Sequence, residues 1–295
     1  MENKLFRGGM IAIITALILS SFAPFYTTAE SDIDYIQIIF QDTGWVIPGD
    51  NISVIPDYNI STNFTFTATA GAFSHTYGFV RYVTADWSII NNGSNATVEE
   101  TSPGLIKFFS GWKNGTAILK AEWNGYNDTV VLTINSSLVS YYLQPIWNFI
   151  GIPYGLELNA SSLFEKISGC TMILLWNASL QDFYIYLPGT PDFDVSGRVI
   201  LVGVTNYSII SFPANSSIFP YVSLYPGWNF LIWLREKPIT AEEIYENITG
   251  CTIVLKWNAS IQDFDLYVPG SPNNFVIRKG EGFLVAVTEE SVWYA

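Results

Sequence analysis

The chain has 295 residues, enough for two or three units that each bury a core of their own. Apolar residues make up 49% and aromatic ones 16%, which excludes a disordered chain, because that much burial offsets the entropy of ordering. Charged residues are only 13%, with 26 acids against 13 bases, which excludes nucleic acid as a partner: no basic surface is present to displace phosphate counterions.

The first residues read as an export signal. Lys4 and Arg7 supply a positive start, Met10 to Ala23 is uncharged and mostly apolar, and Thr27-Thr28-Ala29 offers small residues for cleavage before Glu30. Residues 1–29 are therefore expected to be a signal peptide. The alternative is an uncleaved anchor, which would be the chain's one association with a membrane.

From about residue 32 to 136 the pattern is all β. Short alternating runs recur at Tyr35–Phe40, Asn63–Ala70, Val80–Ile90, Gly104–Phe109, Gly115–Trp123 and Thr129–Ile134, separated by Gly, Asn and Pro turns. Such spacing predicts a β-sandwich. Trp87-Ser88, Ala96-Thr97-Val98, Gly104-Leu105-Ile106, Gly115-Thr116-Ala117-Ile118-Leu119-Lys120-Ala121 and the closing run Val130–Ile134 resemble, in order and spacing, the bacterial immunoglobulin-like group 2 (BIG2) domain of invasin- and intimin-type surface proteins. The resemblance implies an extracellular spacer or adhesion module and carries over no catalytic residue.

The rest is an internal duplication: 143–191 aligns without a gap to 224–272 at an offset of 81, with 23 of 49 positions identical. Beyond it, Gly197–Thr205 matches Gly280–Thr288 after a two-residue shift. The repeats are read as 138–219 and 220–295. Each predicts a strand around Trp147 or Trp228, a short helix, then three strands at 170–177, 183–187 and 198–205 or their equivalents. Ser162 with Glu165, and Thr240 with Glu243, have capping-box spacing, and Gly169 and Gly250 suit helix stops. The opening Pro226-Gly227-Trp228-Asn229 resembles the "PGWN" repeats of archaeal exported proteins, which implies an archaeal surface protein and no particular activity. The fold class expected overall is mainly β: an immunoglobulin-like sandwich followed by two β-rich repeats, each with one short helix.

Strand parity puts Cys251, Ile253, Leu255 and Trp257 on one face, and Thr252, Lys256 and Asn258 on the other. Trp176 and Trp257 are accordingly expected in the repeat cores, with the sister repeat covering the remaining apolar face. The competing reading makes Trp147, Trp176, Trp228 and Trp257 stacking platforms for sugars. Cys170 and Cys251 fall on the inward faces, either as buried thiols or as a disulfide between repeats; both stay open.

Candidate chemistry is thin. His75 reads as a loop residue. Asp192-x-Asp194-x-Ser196-Gly197 starts like a calcium loop, but its twelfth position is Gly203 where a bidentate Glu is needed. Asp182 and Asp263, the repeat-equivalent acids, read as turn residues. No residue is assigned to catalysis, a cofactor or a metal, and the chain is read as non-enzymatic. An exported hydrolase is the remotest alternative.

Sequons carry the strongest signal. Asn51, Asn59, Asn63, Asn92, Asn95, Asn114, Asn127, Asn135, Asn159, Asn177, Asn206, Asn215, Asn247 and Asn258 all open Asn-x-Ser/Thr, 14 of the chain's 21 asparagines. Random placement of Ser and Thr would qualify roughly a fifth. The expectation is an extracellular or cell-surface glycoprotein acting as a structural or adhesion module. Its partners are unidentified; envelope components or glycans are the candidates. A carbohydrate-binding adhesin using exposed aromatics is the alternative.

Overall fold

A computed structural model describes residues 33–40, 52–214 and 221–294. The signal peptide expected at 1–29 and the sequons Asn51 and Asn215 lie outside the described residues.

The first unit is a β-sandwich. One sheet has the order β1 (Tyr35–Phe40), β3 (Thr65–Ser74), β7 (Leu105–Phe109), β6 (Thr97–Ser102), with β4 (Gly78–Val83) also paired to β3. The other has the order β2 (Tyr58–Ile60), β9 (Tyr126–Ile134), β8 (Gly115–Trp123), β5 (Asp86–Asn92). Alternation decides what lies between them: Ile36, Ile38 and Phe40, Phe66 and Ala68, Ile106 and Phe108, Ala117, Leu119 and Ala121, and Val130, Leu132 and Ile134 all face one core. The expected run Val80–Ile90 breaks at Thr84-Ala85, because β4 and β5 belong to opposite sheets.

The two repeats share one topology. In the first, β10 (Leu138–Leu143) pairs with β15 (Ser208–Pro213), and β11 (Ile146–Gly151), β14 (Val199–Val204), β12 (Cys170–Asn177) and β13 (Asp182–Tyr186) form an antiparallel sheet in that order. The second repeats this with a β16 (Tyr221–Leu224)–β23 (Ser291–Tyr294) ribbon and a sheet of β17 (Gly227–Ile232), β22 (Gly282–Val287), β19 (Cys251–Asn258) and β20 (Asp263–Tyr267). It adds a short pair, β18 (Ile239–Thr240) with β21 (Val276–Ile277). Helix α1 (Ala160–Lys166) or α2 (Ala241–Asn247) crosses between the first two strands of the sheet and packs on β12 or β19.

Both helices start in capping boxes. Thr240 with Glu243 is the pair expected. In the first repeat the box is Asn159 with Ser162, three residues ahead of the Ser162–Glu165 spacing, because an Asn at N-cap serves as well as Ser or Thr. Gly169 and Gly250 follow with φ of 68° and 72°, and their carbonyls accept from Thr205 N and Thr288 N.

The β10–β15 ribbon also joins the repeats to the sandwich. Its inner face feeds the repeat core, while Tyr142 and Ile209 on its outer face, with Tyr207 beside it, pack into the sandwich core. Tyr142 meets Phe40 at 5.3 Å between ring centroids. Ser140 Oγ accepts from Ser61 N at 2.7 Å, and Ser211 Oγ donates to Asn59 O at 2.7 Å.

Candidate functional site

The side chains that the two repeats share converge on their mutual interface. Trp147 lies on β11 and Trp228 on β17, each an edge strand with outward backbone groups to satisfy. The Gln181 side chain reaches across from the first repeat: its Oε1 accepts from Trp228 N at 2.7 Å and its Nε2 donates to Trp228 O at 3.0 Å. Gln262 does the same in return, accepting from Trp147 N at 2.9 Å and donating to Trp147 O at 3.0 Å. One glutamine amide thus replaces a strand neighbour at each edge. The indoles join in: Trp176 Nε1 donates to Trp228 O at 2.8 Å, and Trp257 Nε1 to Trp147 O at 3.0 Å. Gln181 and Gln262 adopt φ of 53° and 51° to aim these amides.

This arrangement corrects the parity argument. Between Cys251 and Ile253 the register with β22 shifts by one residue, and the same bulge falls between Cys170 and Met172. A bulge flips every following side chain to the other face. Cys251 and Val254 therefore face the helix side together, whereas Trp257 faces the sister repeat. Trp176 likewise stacks on Phe230 of the second repeat, centroids 5.4 Å apart at 16°. Both indoles are half-buried between repeats and not in the repeat cores. The sister repeat does cover the second apolar face of the sheet.

The bulge also decides the cysteines. Cys170 and Cys251 are free thiols, each packed on the helix side of its own sheet. The repeats meet through the opposite sheet face, so the disulfide between them does not form. Burial pushes both thiols up to about 11.

The buried asparagines are a feature that sequence reading missed. Asn148 and Asn229 are 2% and 1% exposed. Asn229 Oδ1 accepts from Tyr225 N at 2.9 Å, and its Nδ2 donates to Tyr225 O at 2.8 Å and Gly227 O at 3.1 Å. Asn148 closes the loop from Gln144 in the same way, at 2.8 and 2.7 Å. The only available signal was their shared place after Trp in both repeats. Gly227 stands in this loop at φ 99°, and its counterpart Ile146 at φ 82°.

The weaker candidates resolve into local structure. Asp192 accepts from Ser161 N at 3.0 Å and Ser161 Oγ at 2.6 Å, so it caps α1; Asn274 accepts from Glu242 N at 3.0 Å at the matching place on α2. Desolvation acts to raise the Asp192 carboxyl, but the Ser161 hydrogen bonds outweigh it and hold it below its ordinary value. Asp194 accepts from Ser196 N at 3.0 Å in a tight turn, and Gly203 lies within β14. Asp182 and Asp263 each accept from the next backbone N–H at 2.8 Å. His75 is exposed, with its backbone N donating to Asp34 at 2.7 Å and its ring 5.1 Å from Tyr35.

Of the sequon asparagines within the described residues, Asn59, Asn92, Asn95, Asn114, Asn127, Asn135, Asn159 and Asn247 are exposed, and Asn63, Asn177, Asn206 and Asn258 are half-buried. The two buried asparagines, Asn148 and Asn229, lie outside sequons. Asn135, Asn177 and Asn258 share one turn, in which Oδ1 accepts from the sequon serine hydroxyl at 2.9, 2.8 and 2.7 Å.

A cleft of about 700 Å³ opens where the sandwich and both repeats meet. Trp112, Trp257, Asn63, Lys107, Arg278 and Glu236 are among its lining residues. Trp112 is 66% exposed, the barest indole among the described residues. No helix among the described residues is long and apolar enough to cross a membrane.

No family model matches the chain, and no curated protein matches it. Eleven solved chains do match. One, described as "Anomalous substructure of Titin-A168169", is 10% identical over 54% of this chain and 88% of that one, with a TM-score of 0.18. A score that low carries no argument, and the fold rests on the strand pairing above: an immunoglobulin-like β-sandwich followed by two β-rich repeats with one short helix each.

Proposed function

We propose that this chain is an exported, N-glycosylated surface protein, a structural or adhesion module of the archaeal type, with a BIG2-like sandwich and a PGWN-type repeat pair and no catalytic role. The observation that carries the reading is the sorting of the asparagines. Every described sequon asparagine reaches solvent, while the two buried ones lie outside sequons. An acceptor for a bulky glycan must be accessible, and a buried turn clamp cannot carry one. The side chains shared by the repeats support the non-enzymatic part. Tryptophan, glutamine, asparagine and cysteine are all spent on closing edges, holding loops or filling cores. Intact-mass analysis and N-terminal sequencing of protein from its native host test the proposal. A chain starting near Glu30 with several glycan masses is expected; the bare 295-residue polypeptide would sink it.

A second reading, carbohydrate binding, is favoured by the junction cleft alone, whose indole wall and mixed polar lining suit a sugar face. Selective retention on a glycan array, lost in Trp112→Ala, would favour it. An array with no selective binding would leave the structural role.

A further inference from the structure

The repeats are related by a pseudo-twofold axis, as the reciprocal Gln181 and Gln262 bonds require, so equivalent residues near the axis face each other. Phe149 faces its counterpart Phe230 at 5.1 Å between centroids. Next to them the copies have diverged. Gly151 is paired across strands with Val199 in the first sheet, and Ile232 with Gly282 in the second. Equivalent positions therefore hold Gly and Ile, and Val and Gly. A methyl group on Gly151 would overlap Ile232 Cδ1, and one on Gly282 would stand 2.7 Å from Val199 Cγ1. Neither glycine has a positive φ, so the backbone does not demand it. The opposite repeat fills each space: Ile232 and the Gly280 carbonyl, 2.7 Å from the added methyl, stand over Gly151, and Val199 with the Phe149 ring, 2.9 Å away, stands over Gly282.

We propose that this face is a pairing surface that accepts an unlike copy of the repeat and disfavours a like one, with positions 151, 199, 232 and 282 as the code. Two first-type repeats would place Gly against Gly, leaving a void, and Val against Val, a clash. Two second-type repeats would place Ile against Ile and Gly against Gly. Voids and overpacking both cost stability in a dense interior. An exact twofold pair of identical repeats cannot fit at both positions, whereas the diverged pair fits at both. The partner each repeat selects is thus an unlike repeat, supplied within the chain by its sister, and a like repeat of a second copy is a poor substitute.

Three full-length variants test this. I232G/G282V gives both repeats the first code, G151I/V199G gives both the second, and the fourfold combination exchanges the codes and restores an unlike pair. Thermal unfolding midpoints and tryptophan emission, to which Trp176 and Trp257 at this interface contribute among the chain's 10 tryptophans, are the measurements. Both like-coded variants should melt lower by about 5 °C or more, with red-shifted emission. The fourfold variant keeps the contact of residue 151 with the Gly280 carbonyl, so it should melt above G151I/V199G, which shares that contact, and regain part of the emission. Like-coded variants that melt with the parent, or a fourfold variant no more stable than G151I/V199G, would overturn the proposal.

Discussion

Replacing Trp257 with alanine separates an indole that joins the repeats from one displayed to solvent. Full burial of a tryptophan is worth about 3–5 kcal/mol on truncation. Trp257 is half-buried, so about 2 kcal/mol of that applies. Its edge-to-face contact with Phe264, at 4.9 Å and 72°, adds about 0.5–1 kcal/mol. The indole hydrogen bond to Trp147 O adds only about 0.5 kcal/mol, because that carbonyl keeps its bond from Gln262 Nε2 at 3.0 Å and is not orphaned. The sum is about 3 kcal/mol. Urea unfolding of the full chain followed by far-UV circular dichroism is the assay, with Trp112→Ala as control. Trp112 is 66% exposed and should cost less than about 1 kcal/mol. A Trp257→Ala cost below about 1 kcal/mol, level with the control, would refute the placement of this indole between the repeats and return Trp257 to the list of sugar platforms.

Asn229→Leu keeps the volume but strands Tyr225 N–H and two carbonyls, so a loss of about 3 kcal/mol is expected in the same assay; a neutral result would mean the loop is not held by this side chain. Ile146→Gly removes a β-branched residue from φ 82°, where the second repeat already has glycine, and should raise stability by up to about 1 kcal/mol; a drop in the unfolding midpoint would contradict strain at that turn. The thiols titrate near 11 when folded and near 8.5 when unfolded, so the folded chain binds these protons more tightly. Their contribution is full below about pH 8.5 and is lost as pH rises towards 11. C170A/C251A should flatten that alkaline fall, and an unchanged pH profile would count against burial of the thiols. A thiol reagent at pH 8 should label the native protein slowly and two groups per chain once it is unfolded.

Much of this molecule could be read from one dimension. The duplication is a property of the string itself. The sandwich strands follow from period-two alternation, and the Thr240–Glu243 capping box from spacing over four residues. Sequon enrichment needed only counting. What the string could not give is non-local. Parity counting assumes an unbroken pleat, and one extra residue at Thr171 and Thr252 carried Trp176 and Trp257 from the expected core face to the interface between repeats. The β10–β15 and β16–β23 ribbons pair segments about 70 residues apart, so neither end announces the other. Gln181 and Gln262 look like ordinary turn residues until the sister strand's edge is placed beside them. Glycine at 151 and 282 reads as a loss of strand propensity, and only the atoms facing it across the axis explain why nothing larger fits.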